Sequence, residues 1–174
     1  MIFRTTCATL LLLASAGAAH AQQAAPTPGG DDPAALRAEI ERLKSIVPGQ
    51  ATAMTQVAYN FNNLWFAAHA GNWPLAQFYA SETRARLRWT LRIQPVRKVS
   101  TGDLELQPFL DTLEKDPLAK VGEAITAKNV AQLETAYRAT LDACHACHTA
   151  SEKPYLELQV PTVPAEPLIR FAPR

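Results

Sequence analysis

Apolar residues recur along this chain at steps of three and four, the spacing that puts side chains on one face of an α-helix. Asp32-Pro33 reads as an N-cap followed by proline at the first helical position. Leu36, Ile40, Leu43 and Val47 then form a narrow seam among Arg37, Glu39, Glu41, Arg42 and Lys44, and Val47-Pro48-Gly49 stops it. A second helix is predicted from about Gln50 to Ala70, with Met54, Val57, Ala58, Phe61, Trp65 and Ala68 on its inner face, and Gly71-Asn72 ending it. Trp73-Pro74 opens a third that runs to about Ile93, with Leu75, Phe78, Tyr79, Trp89 and Ile93 turned inward. Glu82 and Arg86 fall on that same face and are expected to form a partly buried ion pair. Residues 94–103 read as a loop. Pro108 and Pro117 mark one broken helix over about 104–127, with Asp116 capping its second half. Asn129 caps the last helix, along which Val130, Leu133, Tyr137, Leu141, Cys144 and His148 form a continuous seam. The fold class is therefore all-α.

Both ends of the chain break this pattern. Residues 1–21 have the form of a cleavable export signal: Arg4, an apolar run from Ala8 to Ala18, and Ala19-His20-Ala21 as a small-x-small cleavage site. The run is too short to span a bilayer, so a periplasmic protein without stable membrane insertion is expected. Residues 22–31, rich in Pro and Gly, read as a linker. Beyond Ser151, five prolines exclude a long helix. Tyr155, Leu156, Leu158, Val160, Leu168, Ile169 and Phe171 make residues 153–174 too apolar for a free tail, and an extended segment packed across the helices is expected. The chain has 17 Lys and Arg against 16 Asp and Glu. Losing Arg4 with the signal leaves no net charge, and no basic stripe suggests nucleic acid.

The candidate chemistry lies at the end of the last seam. Cys144-His145-Ala146-Cys147-His148 is a C-x-x-C-H pattern, which fits one covalently attached haem c. Two thiols at that spacing can add to the two porphyrin vinyl groups, and His148 is then held under the iron as an axial ligand. A zinc site and a thioredoxin-like pair are the alternatives. The first would draw on a second ligand pair, and the only other cysteine, Cys7, leaves with the signal. The second would sit in a βαβ setting, which the pattern does not offer. No Ser/His/Asp, phosphate-loop or paired-carboxylate constellation points to an enzyme.

Four helices with C-x-x-C-H near the end of the last resemble the class II c-type cytochromes, exported proteins built as antiparallel four-helix bundles. The resemblance spans residues 50–152 and is specific only at Cys144, Cys147 and His148. The extra helix over 32–48 and the long C-terminal segment depart from it. It implies that the first bundle helix supplies the group across the iron, either a methionine in low-spin electron carriers or an apolar non-ligand in the cytochromes c prime. Met54, the one methionine left after cleavage, is the candidate distal ligand. In an antiparallel bundle its end of the helix lies beside His148. His69 is about 22 Å further along at 1.5 Å per residue. His145 sits within the attachment loop and cannot reach the opposite side of the iron.

The function implied is a monohaem electron carrier between redox protein partners. A five-coordinate gas binder and a haem-carrying subunit of a larger complex are the alternatives. Arg92, Arg97 and Lys98 either neutralise haem propionates, meet an acidic partner or form a solvated basic loop. The 32–48 helix either lies along the bundle or assembles a homo-oligomer.

Overall fold

The computed structural model describes residues 32–173; the expected export signal and linker lie outside them. Among the described residues the chain is mostly helical, with helices α1 (Pro33–Ile46), α2 (Gln50–His69), α3 (Trp73–Ile93), α4 (Gln107–Lys115), α5 (Pro117–Thr126) and α6 (Val130–Ala150). It divides into two compact units between Ser45 and Ile46. In the first, α1 buries none of its residues. Asp32 caps it, its carboxylate accepting from the Ala34 amide at 3.0 Å.

In the second unit α2 packs chiefly on α3, and α6 on α5, around one apolar core. The corner between α2 and α3 is tight. Gly71 adopts φ +71°, where a side chain would be strained, and Asn72 then accepts from the Leu75 amide to start α3. Asn129 caps α6 in the same manner through the Gln132 amide, as its position predicts. Asp116 makes no such cap; it pairs with Lys120 at 2.7 Å, and Pro117 by itself starts α5.

Three further sequence expectations need correction. The face that α3 buries carries Ala76, Tyr79, Ala80, Thr83, Leu87 and Thr90, while Phe78 and Trp89 are exposed. Small side chains let α3 approach the alanines of α2 closely, and this outweighs the pull of two large aromatics. Thr83 and Thr90 can be buried because each hydroxyl donates to the carbonyl four residues back, both at 2.8 Å. Glu82 and Arg86 do pair, at 3.0 Å, with Glu82 half-buried and Arg86 exposed, at the edge of the buried face and not within it, where such a bridge stabilises little. Residues 94–103 are not simply a loop. Val96–Val99 and Gly102–Glu105 form an antiparallel hairpin, β1 and β2, paired from Val96 with Glu105 to Val99 with Gly102.

The C-terminal segment does pack on the helices. The Ala165 amide donates to the side-chain oxygens of Asn62 and Asn63 at 2.9 and 3.0 Å, and the Tyr59 hydroxyl donates to Glu166 at 3.3 Å. Phe171 meets the rings of Phe66 and Tyr79.

Leu64, fully buried in α2, is expected to cost about 2–5 kcal/mol when cut to alanine. Phe78→Ala, on the exposed face of α3, is expected to cost less than about 1 kcal/mol. Urea denaturation of the two variants checks the reassigned face; equal losses would refute it.

Candidate functional site

The seam of α6 is fully buried in its middle, at Leu133, Tyr137 and Thr140, and half-buried at its end, at Cys144, Cys147 and His148. These three stand at i, i+3 and i+4 and so share one helical face. Both thiols are free. Burial pushes the Cys144 thiol up to about 12, and the neighbouring Cys147 adds to this. Cys147 is also raised by burial, in part offset by a hydrogen bond with Ser151 and by the charge of Arg97. A redox pair works through a depressed thiol, the opposite of this setting. Among the described residues no three His, Cys, Asp or Glu side chains converge as a structural zinc site requires.

The imidazole of His148 is held from one side. Its Nδ1 lies 3.4 Å from the carbonyl oxygen of Leu156, which His145 Nδ1 also approaches at 3.2 Å. Donation from Nδ1 leaves the proton off Nε2 and its lone pair free, the tautomer that a histidine ligand to a metal uses. Burial holds His148 below its ordinary value, against the Leu156 bond, which raises it, and so favours the neutral ring.

The turn that follows α6 explains how Leu156 gets there. Lys153 N–H donates to the His148 carbonyl and Glu152 N–H to that of Thr149, the pair of bonds that closes a helix in a Schellman turn. Glu152 takes the left-handed position with φ +59°, usually given to glycine. Its carboxylate accepts from the Ser100 amide at 2.7 Å and so ties the hairpin to the end of α6. The chain reverses and carries Leu156 back beside the histidines.

The hairpin also brings Arg97 to the site. Its guanidinium donates to Gln50 at the start of α2, while its Nε is buried with no partner. A buried, unpartnered N–H is costly, and an anion beside it would satisfy it. Lys98 instead pairs with Asp103 at 2.5 Å on the surface. Arg92 lines a cleft of about 380 Å³ with Arg88, Leu91, Gln107, Leu110 and Glu114, none of them in the cysteine motif.

The register between α2 and α6 is set by several contacts. The Tyr137 hydroxyl donates to the Phe61 carbonyl at 3.0 Å, and their rings stack with centroids 4.0 Å apart. Arg138 lies over the Trp65 ring, and His69 Nε2 is 2.9 Å from Glu134. Both nitrogens of His69 are engaged, Nδ1 with the Trp65 carbonyl, and its partner Glu134 lies near the opposite end of α6 from Cys147. Met54 is fifteen residues before His69, and Thr149 is fifteen after Glu134. On antiparallel helices of equal rise that brings Met54 level with the turn that holds His148. Met54 and Cys144 both border the common core, each half-buried.

The donor set fits a covalently attached haem: two free thiols and a correctly turned imidazole on one helical face, a thioether at their level, and an unsatisfied guanidinium N–H for a propionate. Leu156, Glu152, Gln50 and Ser151 were not singled out in the sequence. No motif marks a backbone carbonyl, and a non-glycine residue at a left-handed turn leaves no signal in composition.

Comparison with protein-family models, with curated proteins and with solved structures finds no match to this chain.

Glu152 bears both backbone strain and the tie to Ser100. Glu152→Ala keeps the strain and loses the tie, so it is expected to lower the melting temperature more than Glu152→Gly, which loses both. Thermal melts followed by circular dichroism test the order; a glycine variant as unstable as the alanine one would contradict it.

Proposed function

We propose that this chain is an exported, monohaem c-type cytochrome, an antiparallel four-helix bundle that passes single electrons between redox protein partners. The observation that carries this reading is the setting of His148. It follows Cys147 on the same face of α6, and its Nδ1 is directed at the Leu156 carbonyl, which leaves Nε2 for iron. A dithiol redox site would have no need for that orientation of a single imidazole, and a zinc site would need further ligands beside it.

Haem supplies a one-electron iron couple when bound. The residues of the chain divide the remaining work. Cys144 and Cys147 would anchor the group through two thioether bonds. His148 would hold the iron through Nε2, and the Leu156 carbonyl, accepting from Nδ1, would fix the tautomer and make Nε2 a stronger donor. Arg97 offers its free N–H and its charge to a propionate. Met54 would offer its sulfur as a second ligand to the iron, and a thioether ligand would raise the reduction potential, as suits a carrier. The end of α6 that carries the motif is half-buried, so a group held there would lie near the surface, within reach of a redox partner.

A five-coordinate gas binder is the second reading, and one observation favours it. Met54 already packs against the apolar core, as a gap-filling methionine does.

Optical spectra of both oxidation states, with carbon monoxide added to the reduced form, separate the two. The carrier reading expects low-spin spectra that respond weakly to carbon monoxide. Met54→Ala is expected to convert them to a high-spin ferrous form that binds it readily. High-spin spectra in the unaltered protein would sink the carrier reading, and an unchanged spectrum in Met54→Ala would remove Met54 from the site.

A further inference from the structure

Helix α1 presents an apolar stripe that no residue of α1 buries: Leu36, Ile40 and Leu43 are 46–49% exposed. Val47 continues the stripe one residue past the helix end. A helix of fourteen residues is marginal by itself in water, so a stripe of this kind needs a partner to contribute stability. The spacing of four, three and four is that of a heptad, with Leu36 and Leu43 at d and Ile40 and Val47 at a. β-Branched residues at a with leucine at d favour two strands in parallel.

The flanking charges point the same way. In this register the g positions of α1 hold Glu39 and Ile46, and the e positions hold Arg37 and Lys44. In a parallel pair each g residue meets the e residue five places on in the partner helix. Glu39 therefore meets Lys44 on both sides of the seam. An antiparallel pair would set g against g and e against e, the latter base against base. Within one helix Glu39 binds Arg42 and Lys44 binds Glu41, but these pairs are exposed and contribute little, so exchanging them costs little.

We infer that α1 forms a parallel, two-stranded coiled coil with α1 of a second copy of this chain. The pair joins two molecules at the same end, since both Pro48-Gly49 links leave from the C-terminal side of the seam. Because the seam is only about two heptads long, the dimer dissociates on dilution. The inference is independent of the haem reading.

Solution mass, measured by light scattering of the purified full chain over a range of concentrations, tests it. The expected result is about twice the monomer mass at high concentration, falling on dilution. Leu43→Asp places a charge in the seam and is expected to give the monomer mass throughout, with the helical content of the remainder retained. A monomer at every concentration in the unaltered chain would overturn the inference, and so would a dimer that survives Leu43→Asp. Orientation is read by mixing. Glu39→Lys and Lys44→Glu should each be monomeric alone, since each sets like charges together. An equimolar mixture of the two should recover the dimer, because both flanking pairs become complementary again. Failure of the mixture to dimerise, while the unaltered chain does, would rule out the parallel register.

Discussion

The bond from the Tyr137 hydroxyl to the Phe61 carbonyl is the constraint on which the rest of the bundle depends. It is buried, its two rings stack, and burial pushes the phenol above its usual range, which favours the protonated, donating form. It fixes where α6 lies along α2. With Trp65 against Arg138 and His69 against Glu134 on one side of it, the opposite end of the register is no longer free. Met54 arrives level with His148, and Gln50 arrives within reach of Arg97. A slip of one turn would move the thioether about 5.4 Å along the axis.

Packing is uneven along α6, and the unevenness is what makes a site. The core closes completely around Tyr137 and Thr140 and loosens at Cys144. Two loops are tied to the loosened end. The hairpin delivers Arg97 and fastens itself to Glu152 through Ser100. The C-terminal chain reverses at Glu152 and delivers the Leu156 carbonyl to His148. Further along, the same segment is fastened to α2 by Asn62, Asn63 and Tyr59, so the part beside the motif is held at both ends.

Much of this was legible in the chain. The helix ends followed from Asp32, Asn129, Pro74 and the Gly71-Asn72 corner, because caps and glycine turns have local chemistry. The α6 seam ran continuously into the cysteine motif, because a 3.6-residue period needs no tertiary information. Three things were not legible. The inner face of α3 was misread because alanine and threonine give a weak hydrophobic signal, although they are what lets two helices approach closely. The hairpin was read as a loop because its strands are four residues each and mix charged residues with valine in one and leucine in the other. His148 is marked by a carbonyl partner and Arg97 by an unpartnered Nε, and neither has a sequence signature.

The central claim is that Cys144 and Cys147 hold one haem with His148 beneath its iron. The most direct measurement is the intact mass of the exported protein after acid denaturation, with a thiol-alkylating reagent added. The account predicts a mass increased by one haem that denaturation does not remove, with no alkylation of either cysteine. A chain that loses all colour on denaturation and takes up two alkyl groups would contradict it.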